Sequence, residues 1–127
     1  ACAVPAPAPG AEVPADRVVA MYFHRTQRCP TCQRMGSYAE EAVREGFSEQ
    51  IQSGKVEFHD VDFQDERNAR LTRAYGISGP TLLVVKVEGN KVKEYRNLKE
   101  MWAKVSDKAA FLRYVRENVA AYLPQGP

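Results

Sequence analysis

The spacing of apolar positions changes several times along this chain, and each change marks a predicted element. Residues 17–24, Arg-Val-Val-Ala-Met-Tyr-Phe-His, form a short, nearly continuous apolar run rich in β-branched and aromatic side chains. That pattern predicts a strand buried on both faces. From Met35 the spacing turns helical: Met35, Tyr38, Ala39, Ala42, Val43, Phe47 and Ile51 share a face, Glu40, Glu41, Arg44 and Glu45 take the others, and Gly54 marks the stop. Across residues 55–63, Val56, Phe58, Val61 and Phe63 alternate with polar partners, imperfectly between Phe58 and Val61, and predict a second strand. A short helix is predicted over 65–75, with Leu71, Ala74 and Tyr75 inward and Gly76 ending it.

The turn Ile77-Ser78-Gly79-Pro80 leads into a third strand over 81–87, and Glu88-Gly89-Asn90 is a hairpin turn into a fourth from Lys91 to Tyr95. Residues 97–105 fit neither period. Ser106 or Asp107 caps a last helix whose Phe111, Leu112, Val115, Val119 and Leu123 form one stripe, stopped by Pro124. The element order predicts an α/β domain: a βαβ half joined to a ββα half around one central mixed sheet flanked by helices.

Residues 1–16 differ in kind. Pro5, Pro7 and Pro9 at alternate positions remove backbone donors and favour extended geometry, so this stretch reads as a flexible Pro/Ala-rich tether, or as a remnant of processing. Residues 17–123 are then the folded domain and 124–127 a tail. At 44% hydrophobic and 27% charged residues, the chain has the composition of an ordinary globular domain that builds its own core. Eighteen Lys and Arg against sixteen Asp and Glu give a net charge of +2, with the signs interleaved, so no nucleic-acid footprint is expected. No stretch approaches the roughly 18 consecutive apolar residues of a membrane span.

Three cysteines cannot all pair internally, so their roles differ. Cys29 and Cys32 stand two residues apart where the first strand gives way to the first helix. The first sulfur is thus expected near the helix N-terminus and the second about one turn inside. The helix dipole and free N–H groups favour a thiolate on Cys29, and Arg25 and Arg28 add charge of the same sign as pKa-tuning neighbours. Cys29 is therefore read as the nucleophile and Cys32 as the resolving thiol. The same spacing serves half of a zinc site. No second such pair exists, however, and His24 and His59 give a spacing unlike structural zinc patterns, so neither metal nor cofactor is expected. His24 is read either as a proton-transfer aid or, with more weight, as a satisfied polar strand end.

The run from Val19 to Cys32, the downstream Val61-Asp62-Phe63, and above all residues 75–84, Tyr-Gly-Ile-Ser-Gly-Pro-Thr-Leu-Leu-Val, resemble the thioredoxin superfamily across nearly all of 17–123. The resemblance implies thiol–disulfide oxidoreductase activity on a protein thiol or disulfide, supplied by an upstream redox partner. It also implies a cis Pro80 beside Cys29, with Gly79, Pro80 and Thr81 presenting a substrate backbone. Two positions depart from the family: Arg28 stands where a Trp usually precedes the first cysteine, and Phe23 where a buried acid assists the second. The competing reading is a non-catalytic module of the same fold that binds a metal or partner protein in a resistance or assembly pathway. Ala1-Cys2 ahead of the tether resembles a trimmed bacterial lipoprotein, which would make Cys2 a lipid anchor and place a monomeric domain on the extracytoplasmic, periplasmic side. An incidental terminal cysteine on a cytoplasmic protein is the alternative.

Overall fold

A computed structural model describes residues 3–6 and 13–124. Cys2, read as a lipid anchor, lies outside the described residues. The elements are β1 (Arg17–His24), α1 (Pro30–Gly46), α2 (Ser48–Ser53), β2 (Val56–Asp62), α3 (Ala69–Ala74), β3 (Thr81–Glu88), β4 (Lys91–Asn97), α4 (Met101–Lys104) and α5 (Lys108–Tyr122), with a 3-10 turn at Glu66–Asn68. The strands form one sheet in the order β2-β1-β3-β4. β1 runs parallel to β2 and antiparallel to β3, and β3 is antiparallel to β4. The sheet is mixed, as the element order predicts.

β1 holds the centre because it can be dry on both sides, and all eight of its residues are buried. Alternation divides its side chains. Val18, Ala20 and Tyr22 join α1, α5 and the buried Cys32 in one cluster, while Val19, Met21 and Phe23 face Leu71 of α3 in another. Fully burying side chains of this size stabilises the fold by about 1.5–3 kcal/mol each, so β1 and its two clusters dominate the packing energy. Of the segment read as a tether, Ala3 and Val4 pack against the second cluster, and the hydroxyl of Tyr75 donates to the carbonyl of Ala3. Further along, the carbonyl of Pro14 accepts from Arg17 and that of Ala15 from the Asn90 N–H.

The helix expected to run unbroken to Gly54 turns sharply at Phe47 (φ −136°, ψ 40°), giving α1 and α2. A distant side chain lies beside the break: Arg116 of α5 donates through Nε to the Ala42 carbonyl at 3.0 Å. Its chain lies so close that a Cβ on Gly46 would sit 2.6 Å from Nε. The hairpin turn consists of Gly89 and Asn90, both at positive φ (59° and 63°), which suits a tight two-residue connection. Asp107 caps α5, its Oδ1 accepting from the Ala110 N–H at 3.1 Å. The unassigned stretch contains α4, anchored by buried Leu98 and Met101 in the cluster that holds Cys32.

Candidate functional site

Pro30 occupies the first helical position of α1, where its missing N–H costs nothing, and leaves Cys29 as the N-cap in an extended conformation (φ −79°, ψ 162°). The Cys29 sulfur accepts from the backbone N–H of Cys32 at 3.3 Å, where a capping Ser or Asp oxygen would ordinarily act. The first turn of α1 carries no acidic residue, so no carboxylate competes with this sulfur for the positive end of the helix.

The two sulfurs are 2.9 Å apart, both cysteines are free, and they differ sharply in environment: Cys29 is exposed and Cys32 buried. The hydrogen bond from the Cys32 side chain, followed by those from backbone N–H groups, lowers the pKa of Cys29 below the ordinary thiol value. Burial, then the neighbouring Cys29, raises that of Cys32. Of the two thiols, Cys29 is therefore the first to ionise. One sulfur is exposed and gives up its proton more readily; the other is buried and holds its proton more tightly.

The charges expected to tune Cys29 are spent elsewhere. Arg28 donates through Nη2 to Asp60 Oδ2 at 2.5 Å and to Nε2 of His24 at 2.8 Å, so its charge is shared with a carboxylate. Arg25 favours the thiolate of Cys32 instead, as a minor influence. The lowering of Cys29 thus comes from hydrogen bonds at the helix start, which are shorter-ranged and better aimed than two solvated guanidinium groups. His24 is 6% exposed and satisfied. Its Nδ1 lies 2.7 Å from the carbonyl of Arg25, which can only accept. That fixes the proton on Nδ1 and leaves the Nε2 lone pair for Arg28. His59 lies on the sheet face opposite His24, paired with Glu57 at 2.8 Å, so the two histidines do not converge on the cysteines.

Two residues that sequence reasoning passed over shape the floor of the site. Tyr22, buried in β1, donates to the Cys32 carbonyl at 2.7 Å, and burial pushes its pKa up. Gly36 lies one turn beyond Cys32 on α1. A Cβ there would meet the Tyr22 ring at 2.9 Å, so the helix approaches β1 this closely only with glycine at that position. A glycine inside a predicted helix, four residues past a cysteine, is the one sequence signal that pointed there.

The β1–β3 register sets Phe23 opposite Thr81, which brings Gly79, Pro80 and Thr81 to the sheet end where β1 runs out toward the cysteines. One expectation is corrected: there are no cis peptide bonds among the described residues, so Gly79–Pro80 is trans. A trans bond is the default for a Pro preceded by any residue, and Gly79 brings no side chain to pack the alternative. The Thr81 hydroxyl closes this turn by donating to the Gly79 carbonyl at 2.8 Å.

The chain matches no protein-family model and no curated protein sequence. Among solved structures it is similar to Fasciola hepatica thioredoxin, at 17% identity and a TM-score of 0.51, over 84% of this chain and 82% of that one. A thioredoxin from Thermus thermophilus aligns at 22% identity, over 80% and 72% of the two chains, with a TM-score of 0.42. At these identities the likeness speaks to architecture, and the fold is thioredoxin-like.

Proposed function

We propose that this protein exchanges disulfides with a partner protein through Cys29 and Cys32. The observation that carries the reading is the asymmetry of the pair: an exposed, hydrogen-bonded Cys29 of lowered pKa lies 2.9 Å from a buried Cys32 of raised pKa. An inert structural pair has no need of that difference. The thioredoxin-like fold supports the same reading.

In the reductive direction the Cys29 thiolate attacks one sulfur of the partner's disulfide, forming a mixed disulfide and releasing the other sulfur as a thiolate that takes up a proton. Cys32 then loses its proton and attacks the Cys29 sulfur. The Cys29–Cys32 disulfide forms, the partner's remaining sulfur leaves as a thiolate, and two electrons have passed to the partner. The oxidative direction is the same sequence reversed. Gly79, Pro80 and Thr81, at the sheet end that β1 leaves for the cysteines, are the backbone against which the partner's chain is presented.

Replacing Cys32 by Ser removes the resolving thiol and should accumulate a Cys29–partner mixed disulfide, visible as a mass shift reversed by reductant. Cys29→Ser should trap nothing. Equal trapping by both variants, or by neither, would overturn the assignment.

A further inference from the structure

Arg25 immediately follows β1, and its guanidinium lies beside an aromatic ring. Its Cζ stands 5.6 Å from the centre of the Phe63 ring, within the range of a cation–π contact. The guanidinium also lies near Gly79: a Cβ built on that glycine would be 3.9 Å from Nη2. The cation thus lies near both an aromatic ring and a residue with no side chain, at the turn that leads into Pro80. It also lies near enough to Cys32 to favour that residue's thiolate.

Arg28, Arg44 and Arg67 each pair with a carboxylate, whereas Arg25, though exposed, has no carboxylate at ion-pair distance among the described residues. The acidic groups nearby are already engaged. Asp62 accepts from the Thr26 hydroxyl at 2.6 Å and from the Gln64 N–H at 2.9 Å, and Asp60 accepts from Arg28. A guanidinium held against a ring has less freedom left to lose on binding, and its planar fork matches a carboxylate with two parallel hydrogen bonds.

We propose that Arg25 is a specificity residue that selects partner polypeptides carrying an Asp or Glu side chain close to the cysteine being exchanged. The inference rests on the disulfide-exchange reading and adds a substrate class to it. The bare Gly79 belongs to the same device, since a branched side chain there would occupy the space beside the guanidinium.

Two synthetic peptides test this, each with one cysteine held as a mixed disulfide with a small thiol, identical except for Glu or Gln two residues from that cysteine. The second-order rate constant for each is measured with the reduced protein at low ionic strength. An exposed but well-aimed pair of this kind predicts a Glu-over-Gln preference of about fivefold. That ratio should fall toward one at about 1 M salt, where the screening length is about 3 Å. In Arg25→Gln the ratio should be close to one, and in Arg25→Glu it should invert. Because the ratio is taken within one protein, any general effect of the substitution on the sulfurs cancels. Exchange with both peptides but no preference in the native protein, or a preference that survives in Arg25→Gln, overturns the proposal and leaves the exchange reading standing. Inertness toward both peptides overturns the exchange reading, and the proposal falls with it.

Discussion

The hydroxyl of Tyr22 donates to the carbonyl of Cys32 across 2.7 Å, tying the central strand to the first turn of the helix that presents the sulfurs. The bond is buried, and the phenol's burial pushes its pKa up, so the group remains a neutral donor across the pH range in which thiols titrate. Tyr22→Phe keeps the ring and removes only this bond. The expected loss is about 1 kcal/mol, read as a lower denaturation midpoint with an unchanged slope in urea.

Gly36→Ala sets two effects against each other. Alanine in a helix interior gains about 1 kcal/mol over glycine. The new methyl, however, would lie 2.9 Å from a Tyr22 ring that is fully buried and held at its far end by the Cys32 carbonyl. Overpacking of this kind costs about 1–3 kcal/mol, so the net change should be destabilising. The double variant with Tyr22→Ala should recover part of the helix gain, measured by a double-mutant cycle in urea.

The cysteine pair predicts a pH dependence of known sign. In the reduced protein iodoacetamide should label Cys29 first, at a pH below that of an ordinary thiol, because its pKa is lowered chiefly by the Cys32 side chain. Cys32→Ala removes that donor and should shift the Cys29 alkylation profile toward higher pH. Labelling of Cys32 ahead of Cys29 would contradict the assignment.

The same shifts link to folding with opposite signs. The depressed Cys29 adds stability as pH rises through its folded pKa, an increment complete once the ordinary thiol value is passed and lost again as pH falls. The raised Cys32 withdraws stability above the ordinary thiol value, since the unfolded chain ionises there and the folded one does not. Urea midpoints of the reduced protein should therefore rise and then fall between neutral and alkaline pH. Cys32→Ala should lack the part of the fall that begins at the ordinary thiol value, and keep the later part near pH 10.0, where the raised tyrosines Tyr22, Tyr114 and Tyr122 ionise first in the unfolded chain.

His24 and Asp60 share Arg28 but not its exposure. Asp60, with its side chain 42% exposed, should lose under about 1 kcal/mol as Asp60→Asn, because water screens the pair. His24, 6% exposed and bonded through both ring nitrogens, should cost more as His24→Ala, about 1–3 kcal/mol, since the Arg28 and Arg25 groups lose a buried partner. Thermal or urea unfolding of the two variants side by side checks the order.

Much of this molecule follows from local pattern. The continuous apolar run of β1, the helical stripes of α1 and α5, the Gly89-Asn90 turn and the placement of Cys29 at a helix start all depend on interactions between residues near in sequence, so spacing alone determined them. That placement also carried the expectation that Cys29 is the more acidic of the two thiols, because a helix N-terminus favours an anion whatever surrounds it. Only the tertiary structure decided where the charges go. Arg28 is taken by Asp60, thirty-two positions away, and Arg25 lies near both Phe63 and Gly79. The break at Phe47 and the need for glycine at position 36 are of the same kind. Beside the first, Arg116 reaches across from α5 to the Ala42 carbonyl, and the second depends on how closely α1 approaches Tyr22. Contacts of that length are set by how the layers pack, and a side chain's spacing along the chain carries no record of the partner that packing will bring to it.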